Sequence, residues 1–310
     1  MHKRFYYGGQ AVIEGVMMLG RRSMAVAVRR PNGEIAVHSE PLGGWHTGRL
    51  REIPFLRGIV VLVGTLSLGI RTLFYSAEVS LEEEQKVSSA LLWGTVALGL
   101  ILALGLFLAL PLMVIHYLDP YISATTSNIL EGLIRLVIFV AYLGAITLFP
   151  DIRRVFAYHG AEHKTINAYE AGEALEVDRV RSYGTAHYRC GTNFIFVVFV
   201  IAIVAFAFLG RPPMWIRYLE RIALLPAIAS ISYEIIRLGA GHIKNGFVRA
   251  ILTPGLALQA LTTRQPDDRQ IEVAISALRR VLAADTEPSK FAEETASVAS
   301  MTNGAGGVHL

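Results

Sequence analysis

The chain has 310 residues, 53% of them hydrophobic and only 17% charged, with a formal net charge of +4 and a mean hydropathy of +0.45. A soluble chain of this size carries about a quarter charged residues, so the deficit argues against an ordinary soluble globular protein. The small positive excess suits contact with anionic lipid heads better than nucleic-acid binding, and one cysteine, Cys190, excludes an intrachain disulfide framework.

The start, "MHKRFYYGGQAVIEGV", is basic but lacks an apolar core of signal-peptide length, so no cleaved leader is expected. "GGQAVIEGVMMLG" holds too many glycines for an ordinary helix and suggests close backbone approach or positive φ. Residues 24–40 alternate small apolar and polar residues about "PNG", which predicts a β-hairpin turning at Asn32-Gly33. "RGIVVLVGTLSLGIR" has thirteen uncharged residues between Arg57 and Arg71. That covers about 20 Å, which predicts an interfacial or re-entrant helix over 55–76.

Four later segments approach the length of about 20 apolar residues that crosses a bilayer, at roughly 90–115, 129–149, 193–210 and 219–238. The fold class expected is therefore mainly α: a polytopic membrane protein with about four transmembrane helices and a small cytoplasmic module containing the hairpin. In the second span Glu131 and Arg135 can pair four residues apart, and the fourth carries Glu220, Arg221, Glu234 and Arg237. The link between the first two spans has no Lys or Arg, whereas the 150–192 loop has several. The positive-inside rule puts that loop and both termini in the cytoplasm, with the three arginines of "RPPMWIRYLER" running against it. Ile271, Ile275, Leu278 and Leu282 form one stripe of an amphipathic helix over 267–283, and the tail from about 286 reads as disordered. The chain so divides at 1–54, 55–89, 90–149, 150–192, 193–238, 239–284 and 285–310.

The chemistry concentrates in "YHGAEHKTINAYE", residues 158–170. His159 and His163 share a helix face and can aim two imidazoles at one ion, while Glu162 can act as general base on a water that zinc acidifies, in the H-x-x-E-H order. Further ligands come from His187 and Cys190 in "HYRCGTNF", or from Glu234, an ionisable residue within a span. The expected cofactor is a divalent metal, zinc by donor type. A hydrolase is one reading. The others are a membrane scaffold or biogenesis factor with a protein partner, which would use the glycine-rich block, and a transporter, favoured by Glu234 alone. The plain alternatives are a solvated His/Glu helix turn, a small buried Cys190 and a structural Glu234–Arg237 pair.

"GGQAVIEGVMMLG", "IPFLRGIVVLV", "YHGAEHKTINAYEAGE", "RCGTNF", "SYEIIRLGAG" and "TPGLALQALTTRQPDD" occur in the order seen in the bacterial YqhQ family, which the chain resembles over roughly residues 5–283. The resemblance implies a multi-pass membrane protein and a metal-dependent enzyme. It matches Glu14, His159, Glu162, His163, His187 and Cys190, and departs at Tyr188, where proline is expected.

Overall fold

A computed structural model describes residues 5–44, 48–81, 88–242 and 245–287. Four strands, β1 (Gly8–Val12), β2 (Gly15–Leu19), β3 (Ser23–Arg29) and β4 (Ile35–Pro41), form an antiparallel sheet in the order β1-β2-β3-β4. The expected hairpin is β3–β4, turning at Gly33 with φ 91°. The glycine-rich block is a second hairpin, β1–β2, which was not anticipated; Glu14 in its turn has φ 52°.

Nine helices follow among the described residues. They are α1 (Leu56–Val79), α2 (Ser89–His116), α3 (Ala124–Ile146), α4 (Pro150–Ala171), α5 (Val177–Arg181), α6 (Gly191–Ala207), α7 (Met214–Gly241), α8 (Gly246–Thr262) and α9 (Asp268–Thr286). Four are long and apolar enough to cross a membrane: α1, α2, α3 and α7. This set differs from the sequence expectation at two places. α1 runs 24 residues because Arg57 and Arg71 do not end it; they pair with Glu234 and Glu40. α6 has 17 residues and falls short of the others. Length alone does not decide the role of α1, since its C-terminal half is occupied by the sheet: Leu68 joins Val12, Met17, Met24, Val26 and Val28 in one buried cluster, and Ser76 Oγ accepts from the Ile13 N–H at 3.2 Å.

The 150–192 stretch, expected as a loop, is mostly the helix α4. Pro150 at its first position needs no N–H partner there. Residues of α4 from Ala157 to Ala168 are buried on nearly every side, because the helix lies between β1, α9 and two chain segments. The amphipathic α9 presents its apolar stripe to β2, β3 and α4 around Ile271, Ile275, Leu278 and Val281, so the sheet is covered by α9 and α4 on one face and by α1 on the other. A capping box between Asp267 and Gln270 starts α9. The tail expected to be disordered lies outside the described residues from 288 onward.

The arginines of "RPPMWIRYLER" turn inward. Arg217 Nη1 lies 2.7 Å from Asp119 Oδ2, and Arg221 Nη2 lies 2.7 Å from Glu131 Oε2 and 2.6 Å from Asn128 Oδ1. Glu131 and Arg135 are paired as expected, and Arg135 Nε also donates to the Phe107 carbonyl at 2.7 Å, where α2 widens into a π-turn over Gly105–Ala109. Asp119 and Glu131 thus pair with arginines inside the helix bundle.

Candidate metal centre

His159 and His163 stand on consecutive turns of α4 with ring centroids 4.4 Å apart. Each spends Nδ1 on a backbone carbonyl: His159 on Thr262 at 2.8 Å and His163 on Thr185 at 2.6 Å. A ring that donates Nδ1–H presents Nε2 as a lone pair, the tautomer a metal takes. Cys190, the N-cap of α6, brings Sγ to 3.3 Å from His159 Nε2 while also accepting from the Thr192 N–H at 3.4 Å. Ligand atoms of His159, His163 and Cys190 all lie within 4.8 Å of one another. Zinc bonds of about 2.0 Å to nitrogen and 2.3 Å to sulfur at tetrahedral angles put two donors about 3.5 Å apart, close to the 3.3 Å His159–Cys190 contact and within the 4.8 Å limit of the group, and imidazole with thiolate is a zinc donor set. The same contact serves as a thiol–imidazole hydrogen bond when no metal is present.

Three chain segments are locked around the pair of histidines. Lys164 Nζ donates to the carbonyls of Arg181 at 2.8 Å and Tyr183 at 2.6 Å, and Asn167 Nδ2 to those of Gly184 at 2.9 Å and Ala186 at 3.1 Å. Gln259 on α8 exchanges two bonds with the backbone of His187, at 2.9 and 2.8 Å. On the other side, the Arg264 N–H donates to Phe156 at 2.9 Å, and Gly160 lets that segment come close: a Cβ there would lie 2.0 Å from the Arg264 oxygen. Lys164, Asn167 and Gln259 escaped the sequence reading. Their signals were polar residues on an otherwise buried helix face and a glutamine within an apolar helix, and Gly160 between two helical histidines was a sign of close packing.

Glu162 is buried on the same helix beside β1. Its Cγ would be 3.2 Å from a Cβ on Gly9, so the glycine-rich hairpin and the motif meet here. Burial raises the carboxyl above the ordinary carboxylate range, against the pull of His159 and of the Gly9 N–H. Glu14 fastens the same hairpin to α4, accepting from Arg154 Nη2 at 2.6 Å and from the Tyr158 hydroxyl at 3.2 Å.

The other two expected ligands fall outside the trio. The His187 ring sits 5.6 Å from that of His163, with Nε2 3.7 Å from Glu170 Oε2. Burial lowers the His187 imidazole, and Glu170 partly restores it. Glu234 is held by Arg57, with Nε 2.6 Å from Oε1, and by the Phe55 N–H at 3.2 Å. Its carboxylate is an ion-pair partner joining α7 to α1, not a member of the histidine group.

Comparison with known proteins agrees with the motif order. A family described as "Protein of unknown function (DUF1385)" matches residues 53–284, from just before α1 to near the end of α9. The "Uncharacterized protein YqhQ" of Bacillus subtilis (strain 168) is 34% identical over 294 residues, covering 89% of this chain and 92% of the relative. No solved structure matches. With the family match over three quarters of the chain and a full-length relative beside it, the chain belongs to the YqhQ family, DUF1385.

Proposed function

We propose that His159, His163 and Cys190 hold a divalent metal, zinc, and that the protein is a metal-dependent hydrolase at the cytoplasmic face of a bacterial inner membrane, with both termini in the cytoplasm. The observation that carries the metal reading is the use of both Nδ1 atoms on carbonyls, which leaves two Nε2 lone pairs, in a group whose ligand atoms lie within 4.8 Å of one another and in which His159 Nε2 is 3.3 Å from the Cys190 sulfur. A bound divalent ion supplies Lewis acidity. Three protein ligands would leave room for a fourth partner, the pattern of catalytic rather than closed structural sites. Glu162, one residue before His163 and held against Gly9, is the proton acceptor in this reading. Four apolar helices of membrane length are consistent with a bilayer partner.

A second reading is favoured by burial. His163 is 2% exposed, Glu162 6% and Cys190 7%, and the group joins α4, the start of α6 and the end of α8. In that reading the metal braces the contact between the membrane helices and the sheet, and the protein acts as a scaffold for a membrane or cytosolic protein partner. Glu162→Gln separates the two, because the amide retains size and hydrogen-bonding reach but takes no proton. The hydrolase reading expects the variant to bind zinc and accumulate normally yet fail to complement a deletion strain, with His163→Ala losing zinc as well. Loss of a general base lowers a rate by about 10²–10⁴-fold, so a coarse complementation assay suffices. Full complementation by Glu162→Gln ends the hydrolase reading and leaves the brace.

A further inference from the structure

We propose that the ionic cluster at the end of the bundle remote from the histidines is a binding site for a phosphate anion, either the phosphodiester of a phospholipid or free phosphate. The two clusters lie at opposite ends of α6, which runs 17 residues, about 25 Å, from Cys190 to the Phe206 ring that underlies Arg221 at 4.3 Å.

The argument rests on charge balance and on unfilled donors. Four guanidiniums, of Arg135, Arg211, Arg217 and Arg221, face three carboxylates, of Asp119, Glu131 and Glu220. One positive charge is left over. Glu220 contributes weakly: its Oε2 stays 3.7 Å from Arg221 Nη1, beyond hydrogen-bond distance, and is itself buried without a hydrogen-bond partner. Arg217 and Arg221 are each 1% exposed, yet Arg217 Nε and Arg221 Nη1 have no hydrogen-bond partner. These two residues are one turn apart on the same face of α7. Buried unpaired guanidinium N–H groups and surplus charge are costly among apolar helices, and a phosphate monoanion answers both deficits with the geometry arginine recognises best. Arg211 and His116, 29% and 61% exposed at the side chain, are the solvent-facing members of the cluster. Basic pockets between membrane helices take lipid headgroups in this way.

The test uses full-length protein purified in an uncharged detergent and washed free of lipid. Thermal unfolding is followed with added phosphatidylglycerol, with inorganic phosphate, and with chloride at equal ionic strength. The expected result is a rise in Tm of several degrees in at least one phosphate arm and none with chloride. A rise with phosphatidylglycerol alone identifies a lipid site, and a rise with inorganic phosphate identifies a soluble anion. Arg217→Lys retains a charge opposite Asp119 but removes the Nε donor, and should abolish the rise. Should that variant show no cooperative transition, Arg221→Lys carries the same comparison. A ligand that survives washing appears instead as about one phosphorus per chain in the wild type and less in the lysine variants. The proposal is overturned by the absence of both the rise and the retained phosphorus, or by a rise equal in wild type and lysine variants.

Discussion

Replacing Gly160 by alanine sets two ordinary effects against each other, and the structure decides the sign. In a helix interior, alanine is favoured over glycine by about 1 kcal/mol. Here the added Cβ would lie 2.0 Å from the Arg264 oxygen, 3.2 Å from its carbonyl carbon and 3.3 Å from Thr185 Cγ2. A carbon–oxygen contact relaxes at about 3.3 Å, so the 262–264 segment must retreat by about 1.3 Å. That movement takes the Arg264 N–H from Phe156 and the Thr262 carbonyl from His159 Nδ1, bonds now of 2.9 and 2.8 Å. Two lost hydrogen bonds cost about 1 kcal/mol each, and overpacking adds about 1–3 kcal/mol. The net expectation is a loss of about 2–4 kcal/mol, read as a fall in Tm of roughly 5–10 °C. Because the Thr262 carbonyl orients the His159 ring, zinc affinity measured against a competing chelator should fall about 10–100-fold. Gly144→Ala is the control: a Cβ there meets nothing within 4 Å, and the variant should be at least as stable as the wild type. A Gly160→Ala protein with unchanged Tm and unchanged zinc affinity would refute the close approach and the role given to the 262–264 segment.

Glu234→Gln should lower stability by about 3 kcal/mol, because it leaves Arg57 without its counter-ion, while zinc content stays at the wild-type level; loss of zinc would restore Glu234 as a ligand. Cys190→Ser should weaken zinc retention in a chelator titration by at least tenfold, through loss of the soft donor that accompanies His159; wild-type retention would remove the sulfur from the site. For orientation, cysteines at Tyr121, 84% exposed, and at Ser182, also exposed, suit an impermeant thiol reagent in intact cells, and the buried Cys190 can stay. The positive-inside rule predicts labelling at 121 and not at 182, and the reverse pattern would invert the topology.

The apolar blocks, the hairpin about Asn32-Gly33, the stripe of α9 and the pairing of His159 with His163 were legible along the chain, because each depends on residues a few positions apart and on the periodicity of one element. Cys190 could be named from its type and proximity to the motif, although only folding brings its sulfur to His159 Nε2. Glu234 shows the limit: a carboxylate inside an apolar run needs a partner, but nothing local says whether that partner is a metal or Arg57, 177 positions earlier, with which it pairs in the fold. Arg217 and Arg221 likewise ran against the positive-inside rule, and their partners Asp119 and Glu131 across the bundle were not visible along the chain. The same limit hid the use of the glycine-rich block. Repeated glycine announced close approach, yet what approaches Gly9 is the Met17 carbonyl of the neighbouring strand together with Glu162 from a helix distant in the chain. Periodicity and composition are local properties and decided the elements; the partners of buried charges, and the gathering of His159, His163 and Cys190, are set by long-range packing and appear only in the tertiary structure.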